Sequence, residues 1–549
     1  MTHRRLARLL HACFTLCFAG LLGAGALFAQ ELKLQVLGTT DLHGHVLPQD
    51  TYSLQPRNKG WAKLATLIRQ AKAENPNSVL IDSGDTIEGE PVNYVRTRLR
   101  PDMAEPSIAV MNALGFSAMA IGNHDFNWGL DALRAVEKQA RFPLLSANTV
   151  LAKGGKGAFT PWTKVNIGGA TVVIVGFTTP GIPHMEEPGN YAGLAFQDIV
   201  ESAKALVPRL REKEKADVII VTMHSGLGAL PGQAGDENSA LRLADQVPGI
   251  DLILTGHTHA PISSQHKGVP ILQAAAHGRA LAVADLTLQK SQGRWRVAAV
   301  RGRLVEPADD TPLDAQVLEL TASLRTATDT YLNTAATNLF TDLDGRWCRL
   351  EDTPLAQLLH TVQRQATGAQ LSVVSWTSAG IFIPAGPTSV RQFYSLQPYE
   401  NQVARIRISG KQLRLYLEFA ARAYNFSHEP ELFNKAVPFY EVDQIDGCAY
   451  ALDLSQPAGK RVKNLSFQGR PVQEDQTFSL ALSTYRLRGG GGYMAAIGFT
   501  GQPESITPEL ARNLLLSYVL SRPSLALAPT HAWRTIPALD RERIMQQAR

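Results

Sequence analysis

Cysteine is scarce in this 549-residue chain: there are four, and Cys13 and Cys17 fall within the first 29 residues. Cys348 and Cys448 remain, too few for a disulfide-stapled scaffold or a four-cysteine zinc site. An exported chain could still join the two. Beyond residue 29 no apolar run is long enough to span a bilayer, which excludes a polytopic membrane protein. There is no low-complexity tract and no internal repeat, so a disordered chain and a solenoid are both set aside. An excess of one charge is missing too. Arg4, Arg5 and Arg8 lie in the first 29 residues with no acid, and the remainder carries 51 Lys+Arg against 49 Asp+Glu, a formal +2. That balance gives no reason to expect a nucleic-acid polymer as partner.

What is present begins with those 29 residues. Three arginines, an apolar stretch over residues 9–27 and the Phe28-Ala29 boundary before Gln30-Glu31 read as a secretory signal peptide. The mature protein is expected to be periplasmic or secreted, with no membrane anchor after cleavage. From residue 30 to about 304, short apolar runs (34–37, 79–81, 118–121, 172–177, 218–222, 252–254) alternate with amphipathic stretches (61–73, 130–139, 196–212). That alternation predicts a layered α/β domain. A Pro-containing stretch at 305–312 and a helix over about 313–332 make a connection through residue 337. Residues 338–525 read as a second α/β domain, and 526–549 as a tail.

Five segments stand just after predicted strands: Thr40-Asp41-Leu42-His43, Ser83-Gly84-Asp85, Gly122-Asn123-His124-Asp125, Met223-His224-Ser225-Gly226 and Gly256-His257-Thr258-His259. In such sheets ligands collect at the carboxyl ends of strands, so the five segments are expected on one rim. Asp41 and His43 can face one ion. The Asp85 carboxylate has two oxygens and can bridge two. Asn123 offers a carbonyl oxygen, and His224, His257 and His259 offer imidazole nitrogens. Seven donors with one shared suit two divalent cations, Mn, Zn, Fe or Co. Such a pair neutralises phosphate oxygens and lowers the pKa of water. His124, beside Asn123, is expected to act on the leaving oxygen or the transferring group. Asp82 reads as a turn cap and His45 as a solvent-facing loop residue. His184, His266, His277, His360, His428 and His531 have no supporting pattern.

Together these segments resemble the exported calcineurin-like metallophosphoesterases of the 5′-nucleotidase family. The resemblance implies a layered α/β catalytic sandwich followed by an α/β nucleotide-binding domain. By it, Asp41, His43, Asp85 and His259 would hold one cation, and Asp85, Asn123, His224 and His257 the other, with His124 catalytic. Asn127 stands where the 5′-nucleotidase and UDP-sugar hydrolase branch carries an Asp, and an Asn can orient the His124 ring. The segment Gly122-Asn123-His124-Asp125-Phe126-Asn127-Trp128-Gly129-Leu130-Asp131 is similar to the branch of bifunctional 2′,3′-cyclic-nucleotide 2′-phosphodiesterases/3′-nucleotidases. In the second domain, Gln397-Pro398-Tyr399-Glu400-Asn401 and Thr484-Tyr485-Arg486-Leu487-Arg488-Gly489-Gly490-Gly491-Gly492-Tyr493 resemble the family's base-binding segments. By resemblance Tyr399 and Tyr485 would sandwich a nucleotide base, with Asn401 hydrogen-bonding near it. Residues 378–384 lack the Arg of the 5′-nucleotidase branch, and Gly491 replaces an Asp. Arg486 or Arg488 could replace the phosphate contact. The expected function is hydrolysis of 2′,3′-cyclic nucleotides and 3′-nucleotides. The alternatives are a 5′-nucleotidase/UDP-sugar hydrolase and a non-catalytic exported nucleotide-binding protein.

Overall fold

A computed structural model describes residues 30–228, 237–376 and 380–538. The signal-peptide reading of residues 1–29 lies outside them, as do Ser378 and Ala379. The N-terminal half is built on two six-stranded sheets. In the first, Glu31–Thr39, Ser78–Asp82, Ala118–Ala120 and Leu144–Leu145 run parallel, and Leu281–Ser291 and Arg294–Val305 close one side antiparallel. In the second, Ala170–Thr178, Val218–His224, Leu252–Thr255 and Val269–Ala274 run parallel, flanked by Trp162–Ile167 and Pro261–His266.

Side-chain alternation explains how the sheets stack. Leu34, Val36, Val79 and Ile81 of the first sheet pack on Val172, Ile174, Ile220 and Leu254 of the second. The opposite faces are also apolar. Leu37 and Leu80 meet the helices Trp61–Glu74 and Pro106–Leu114. Val173, Val175, Ile219 and Val221 meet Ile199–Glu212 and Ala240–Gln246. Strands buried on both faces must be apolar at nearly every position, which is why they stand out as continuous runs in the sequence. The result is helix, sheet, sheet, helix. Side-chain hydrogen bonds tie the sheets at one end: Thr222 Oγ1 donates to the Asp82 carbonyl at 3.0 Å and lies 2.9 Å from Ser83 Oγ, and Thr178 Oγ1 donates to the Ile121 carbonyl at 2.8 Å.

The helix Ala315–Leu332 is capped by Asp314, whose carboxylate accepts from the Val317 amide and from Arg69. It is more than a connection: Val317 packs in the core beside Trp61, while Leu332 packs in the core of the second domain. That domain centres on a five-stranded sheet ordered Asp443–Asp446, Leu371–Ser375, Thr477–Ser483, Gln402–Ser409, Ser505–Leu510. The helices Pro354–Thr367 and Gly410–Ala420 flank it; Thr353 and Ser409 cap their first turns. Residues 533–536, read as tail, form the strand Trp533–Ile536 parallel to Ala449–Asp453. Four residues are too short to announce a strand by periodicity. Cys348 and Cys448 are free, buried thiols in different cores.

Because Ile220 is wholly enclosed between the two sheets, Ile220→Ala should cost about 2–5 kcal/mol. Urea unfolding of the N-terminal half would register it, and a cost below about 1 kcal/mol would contradict the packing described.

Candidate two-cation centre

Every one of the five chemical segments follows, or ends, a parallel strand, and the rim they share belongs to both sheets. Asp41, Asp85 and Asn123 come from the first sheet; His224 and His257 come from the second. Turning a chain sharply off a strand end requires unusual backbone. Asp41, His43, Asp85, His257 and His259 all adopt positive φ, between 47° and 75°, a region uncommon outside glycine and tolerated best by Asn, Asp and His. Backbone strain clustered on donor side chains is a mark of a functional site.

Two glycines make the turn possible. Gly84 sits at φ 94°, and a Cβ there would meet the Gly122 amide nitrogen at 2.6 Å. A Cβ on Gly122 would in turn strike Asp85 Oδ1 at 2.1 Å. Asp125 clamps the same loops, accepting from the amides of Gly122, Asp85, Thr86 and Ile87 at 2.8–3.2 Å. Asp82 caps the turn as its sequence suggested: it accepts from the Gly84 amide and from the hydroxyls of Thr39 and Thr86.

The donor atoms converge. His43 Nε2 and His259 Nε2 lie 3.1 Å apart, with Asp41 Oδ1 3.4 Å from His259 and Asp85 Oδ2 3.8 Å from His43. His224 Nε2 lies 3.0 Å from Asp85 Oδ2 and 3.1 Å from Asn123 Oδ1, while His257 Nδ1 is 3.0 Å from the same Asn123 oxygen. Asp85 thus faces both imidazole groups. Asp41, His43 and His259 form one tight donor group and Asp41, Asp85 and His224 another, so Asp41 also reaches toward both.

The chemistry of this set fits cations. Three of the rings have their far nitrogen engaged by an acceptor: His43 Nδ1 by the Glu88 carbonyl, His224 Nδ1 by the Ser83 carbonyl, both at 2.8 Å, and His257 Nε2 by Glu237 at 2.6 Å. A proton held there leaves the inward nitrogen as a lone pair. Lone pairs and carboxylate oxygens then point at one another, which only protons or metal ions between them can relieve. Burial alone would raise Asp85, but His224, His124 and His43 hold it well below the usual carboxylate range. Burial would lower His224, yet Asp85 and Asp41 lift it to about 10. The site demands positive charge, and its oxygen and nitrogen donors suit two divalent cations.

His124 sits against this group without joining it. Its amide donates to Asp85 Oδ1 at 2.8 Å, and its Nδ1 lies 2.7 Å from Asn127 Oδ1. Asn127 Nδ2 donates in turn to Glu186 Oε2 at 2.7 Å, and Glu88 Oε2 is 3.4 Å from His124 Nδ1. Burial opposes charge on His124, but Asp85, Glu88 and Glu186 together raise it to about 9. Burial pushes Glu88 up to about 8 and Glu186 up to about 7, against the pull of His124.

The segment Gly84-Asp85-Thr86-Ile87-Glu88-Gly89-Glu90-Pro91 also resembles the cyclic-nucleotide branch, but sequence reasoning gave Glu88 no role, and it passed over Glu186 and Glu237. It also misjudged two histidines. His45 is buried, paired with Glu90 at 2.9 Å and stacked on His277 at 4.1 Å. His277, left without a role, donates its amide to the Asp41 carbonyl and packs edge-on against His43 and His259.

The second domain leans over this rim. Arg391 donates to the Thr51 carbonyl at 2.6 Å, Tyr52 stacks on Tyr394, and Arg488 pairs with Glu187. Tyr399 is 51% exposed, and surrounding atoms, then Glu88 and Tyr440, raise its hydroxyl pKa. Buried Arg512 fastens its segment, donating to the Pro398 carbonyl and pairing with Glu400, and the Asn401 carbonyl accepts from Ala511. Tyr485 shares Tyr440 as a neighbour and lies in the field of Glu237. Arg486 is wholly buried, with the Asp443 carboxylate accepting from its Nε and from one outer nitrogen, and Arg488 is engaged by Glu187. Neither guanidinium is available as the phosphate contact considered from sequence.

Residues 34–261 match the calcineurin-like phosphoesterase family, and residues 327–497 match the 5′-nucleotidase C-terminal domain. A solved calcineurin-like phosphoesterase structure of YfkN from Bacillus subtilis is 32% identical, covering 55% of this chain and 99% of that one, with a TM-score of 0.52. The chain belongs to the calcineurin-like phosphoesterases. It is a hydrolase of that superfamily, and two divalent metals are its cofactors. The full YfkN, named a trifunctional nucleotide phosphoesterase protein, is 28% identical over 93% of this chain, which spans only 39% of the YfkN length. A Salmonella typhimurium protein named 2′,3′-cyclic-nucleotide 2′-phosphodiesterase/3′-nucleotidase is 29% identical over 85% of this chain and 83% of its own. The fold extends through both domains in a 5′-nucleotidase precursor from Thermus thermophilus, with a TM-score of 0.66, 24% identity and coverage of 92% and 100%.

Since Gly122 leaves room for the Asp85 carboxylate, Gly122→Ala in this phosphoesterase should displace it. Metal affinity and turnover should fall roughly tenfold or more, with circular dichroism unchanged. Parent-like metal titration of that variant would contradict the geometry.

Proposed function

We propose that this calcineurin-like phosphoesterase is exported and hydrolyses nucleotides, with 2′,3′-cyclic nucleotides and 3′-nucleotides as substrates, to nucleoside and phosphate. The observation that carries the reading is Tyr399. It is half exposed to solvent and lies within the field of Glu88, which itself is 3.4 Å from His124. An aromatic platform from the second domain beside a phosphoester-cutting centre suits a ligand with a flat base at one end and a phosphate at the other. Stacking on such a platform is worth about 1–3 kcal/mol per base and tolerates several bases. Asn127, in place of an Asp, and the name of the Salmonella relative favour the cyclic and 3′ substrates over 5′ ones. Export rests on the charge and hydropathy of residues 1–29; among the described residues no helix is long and apolar enough to cross a membrane.

Asp41, His43, Asp85 and His259 would hold one cation, and Asp85, Asn123, His224 and His257 the other. When bound, the pair neutralises phosphate oxygens and acidifies water. The chain's own acid is His124. Its Nδ1 is taken by Asn127, so Nε2 is the atom free to deliver a proton. With a cyclic substrate, water adds to phosphorus, the bond to O2′ breaks and O2′ takes the proton. A second water then releases O3′ in the same way. Both leaving groups are poor without protonation, which is where a charged His124 contributes most. Tyr399, Tyr485 and Asn401 would hold the base.

Release of phosphate from 2′,3′-cyclic AMP, 3′-AMP and 5′-AMP, compared after chelation and re-addition of Mn, Zn, Co or Fe, tests the proposal. Activity should vanish on chelation, return with metal and favour the first two substrates. Tyr399→Ala should raise KM roughly five- to 100-fold for all nucleotides. A preference for 5′-AMP would move the protein to the 5′-nucleotidase branch, and metal-restored chains with no turnover of any of the three would favour the non-catalytic alternative.

A further inference from the structure

Two adjacent glutamates, Glu186 and Glu187, face opposite ways from one short segment. That segment follows directly on the strand Ala170–Thr178 and the turn Ile182–Met185, which ends at Glu186. The Glu186 amide donates to the Ile182 carbonyl and the Asn190 amide to the Glu187 carbonyl, so both residues sit on a hydrogen-bonded backbone. Glu186 Oε2 accepts from the Asn127 side-chain amide at 2.7 Å, and Asn127 Oδ1 faces His124 Nδ1 at 2.7 Å. Glu187 takes both outer nitrogens of Arg488, in the second domain. Arg488 closes the turn that begins at Thr484 and carries Tyr485, its amide donating to the Thr484 carbonyl.

An Asn differs from an Asp in one respect that matters here. Its side-chain ends are unlike, and rotating the amide by half a turn would direct an N–H at His124 Nδ1 in place of an acceptor. That flip would favour the tautomer with its proton on Nε2 and its lone pair on Nδ1, and would strip Nδ1 of its partner when the ring is charged. Something must hold the Asn127 amide in one sense. Held ionised by His124 against its burial, the Glu186 carboxylate accepts and does not donate, so in that form it fixes the nitrogen on its own side and the oxygen on the side of His124. The identity of the next residue adds the second leg. Whatever sets the position of Glu187 sets that of Glu186, and the guanidinium that grips Glu187 moves with the loop of Tyr485.

We infer that Glu186 and Glu187 couple docking of the second domain to orientation of His124: Arg488 fixes Glu187, and Glu186 fixes the Asn127 amide that sets the ring. Glu186 is a positioning residue. The inference rests on the reading of His124 as the acid for the leaving oxygen, and it specifies how that acid is assembled only when the base-binding loop is in place.

The test compares 3′-AMP, whose leaving alkoxide needs a proton, with p-nitrophenyl phosphate, whose leaving group does not. Glu186→Gln can present its own amide N–H to Asn127 and release the flip. It should lower kcat for 3′-AMP roughly tenfold or more, leave KM within about twofold, and change p-nitrophenyl phosphate turnover less than about threefold. Asn127→Asp combined with Glu186→Gln replaces the ambiguous amide by an acceptor and should restore 3′-AMP turnover to within about threefold of the parent. Glu187→Gln and Arg488→Gln should each lower 3′-AMP kcat, and the double variant should lose no more than either single one. Equal losses on both substrates for Glu186→Gln, failure of the double variant to recover, or additive losses for Glu187 and Arg488 would each overturn the inference. His124→Ala is the control. If it leaves 3′-AMP turnover intact, the acid assignment falls and this inference with it; if it abolishes turnover while Glu186→Gln does not, only the present inference falls.

Discussion

Asp41 and Asp85 are buried, and the titratable groups facing their oxygens are imidazoles, beside the Thr40 hydroxyl and the amides of His124 and His257. An ionised carboxylate removed from water is costly by several kcal/mol unless opposite charge lies against it. Nearly every unusual feature of the catalytic half follows from keeping these two acids close together, ionised and surrounded by donors. Strand ends from two sheets must meet on one rim, so side-chain hydrogen bonds pin the sheets there. Five donor residues must turn in the left-handed region. Gly84 and Gly122 must lack side chains, and Asp125 must hold the loops from behind. Each of these is a local cost, which cations held by these groups would offset.

In the proposed function the second domain would make a chemically general centre selective. Tyr399 and Tyr485 are held on segments braced by buried arginines: Arg512 under the first, Arg486 under the second. A guanidinium with two of its nitrogens held by fixed acceptors is a rigid strut, and rigid platforms lose little entropy when a base stacks on them. The same arrangement explains why His124 can work with an Asn beside it. Glu88 lies beside the ring and Glu186 one residue further out, and in their ionised forms they favour charge on His124 as an Asp at position 127 would.

Much of this was legible in the sequence. The inner strands are apolar on both faces, so their runs stood out, and Glu31–Thr39, Val218–His224 and Leu252–Thr255 contain the stretches read as strands. Donor residues immediately after such runs pointed to a shared rim, and the structure brings Asp41, His43, Asp85, Asn123, His224, His257 and His259 together. The division of the rim between two sheets was not legible, because strand pairing across more than 100 residues leaves no local trace. The roles of Glu88, Glu186 and Glu237 were hidden for a related reason: each acts on a histidine elsewhere in the chain, directly or, for Glu186, through Asn127. His45 and His277 stack on each other only because residues 45 and 277 meet in the fold. Arg486 and Arg488 looked like ligand contacts beside a glycine loop, but Asp443 and Glu187, which engage them, lie far along the chain.

The central claim is that Asp85 would be shared by two cations, since one of its oxygens lies against both His43 and His224. Elemental analysis of the purified chain and of Asp85→Asn, after dialysis against the activating metal, tests it most directly. The parent should hold about two equivalents per chain, and the variant should lose both, not one. A fully active parent with far less than one equivalent, or a variant that keeps both ions, would contradict the account.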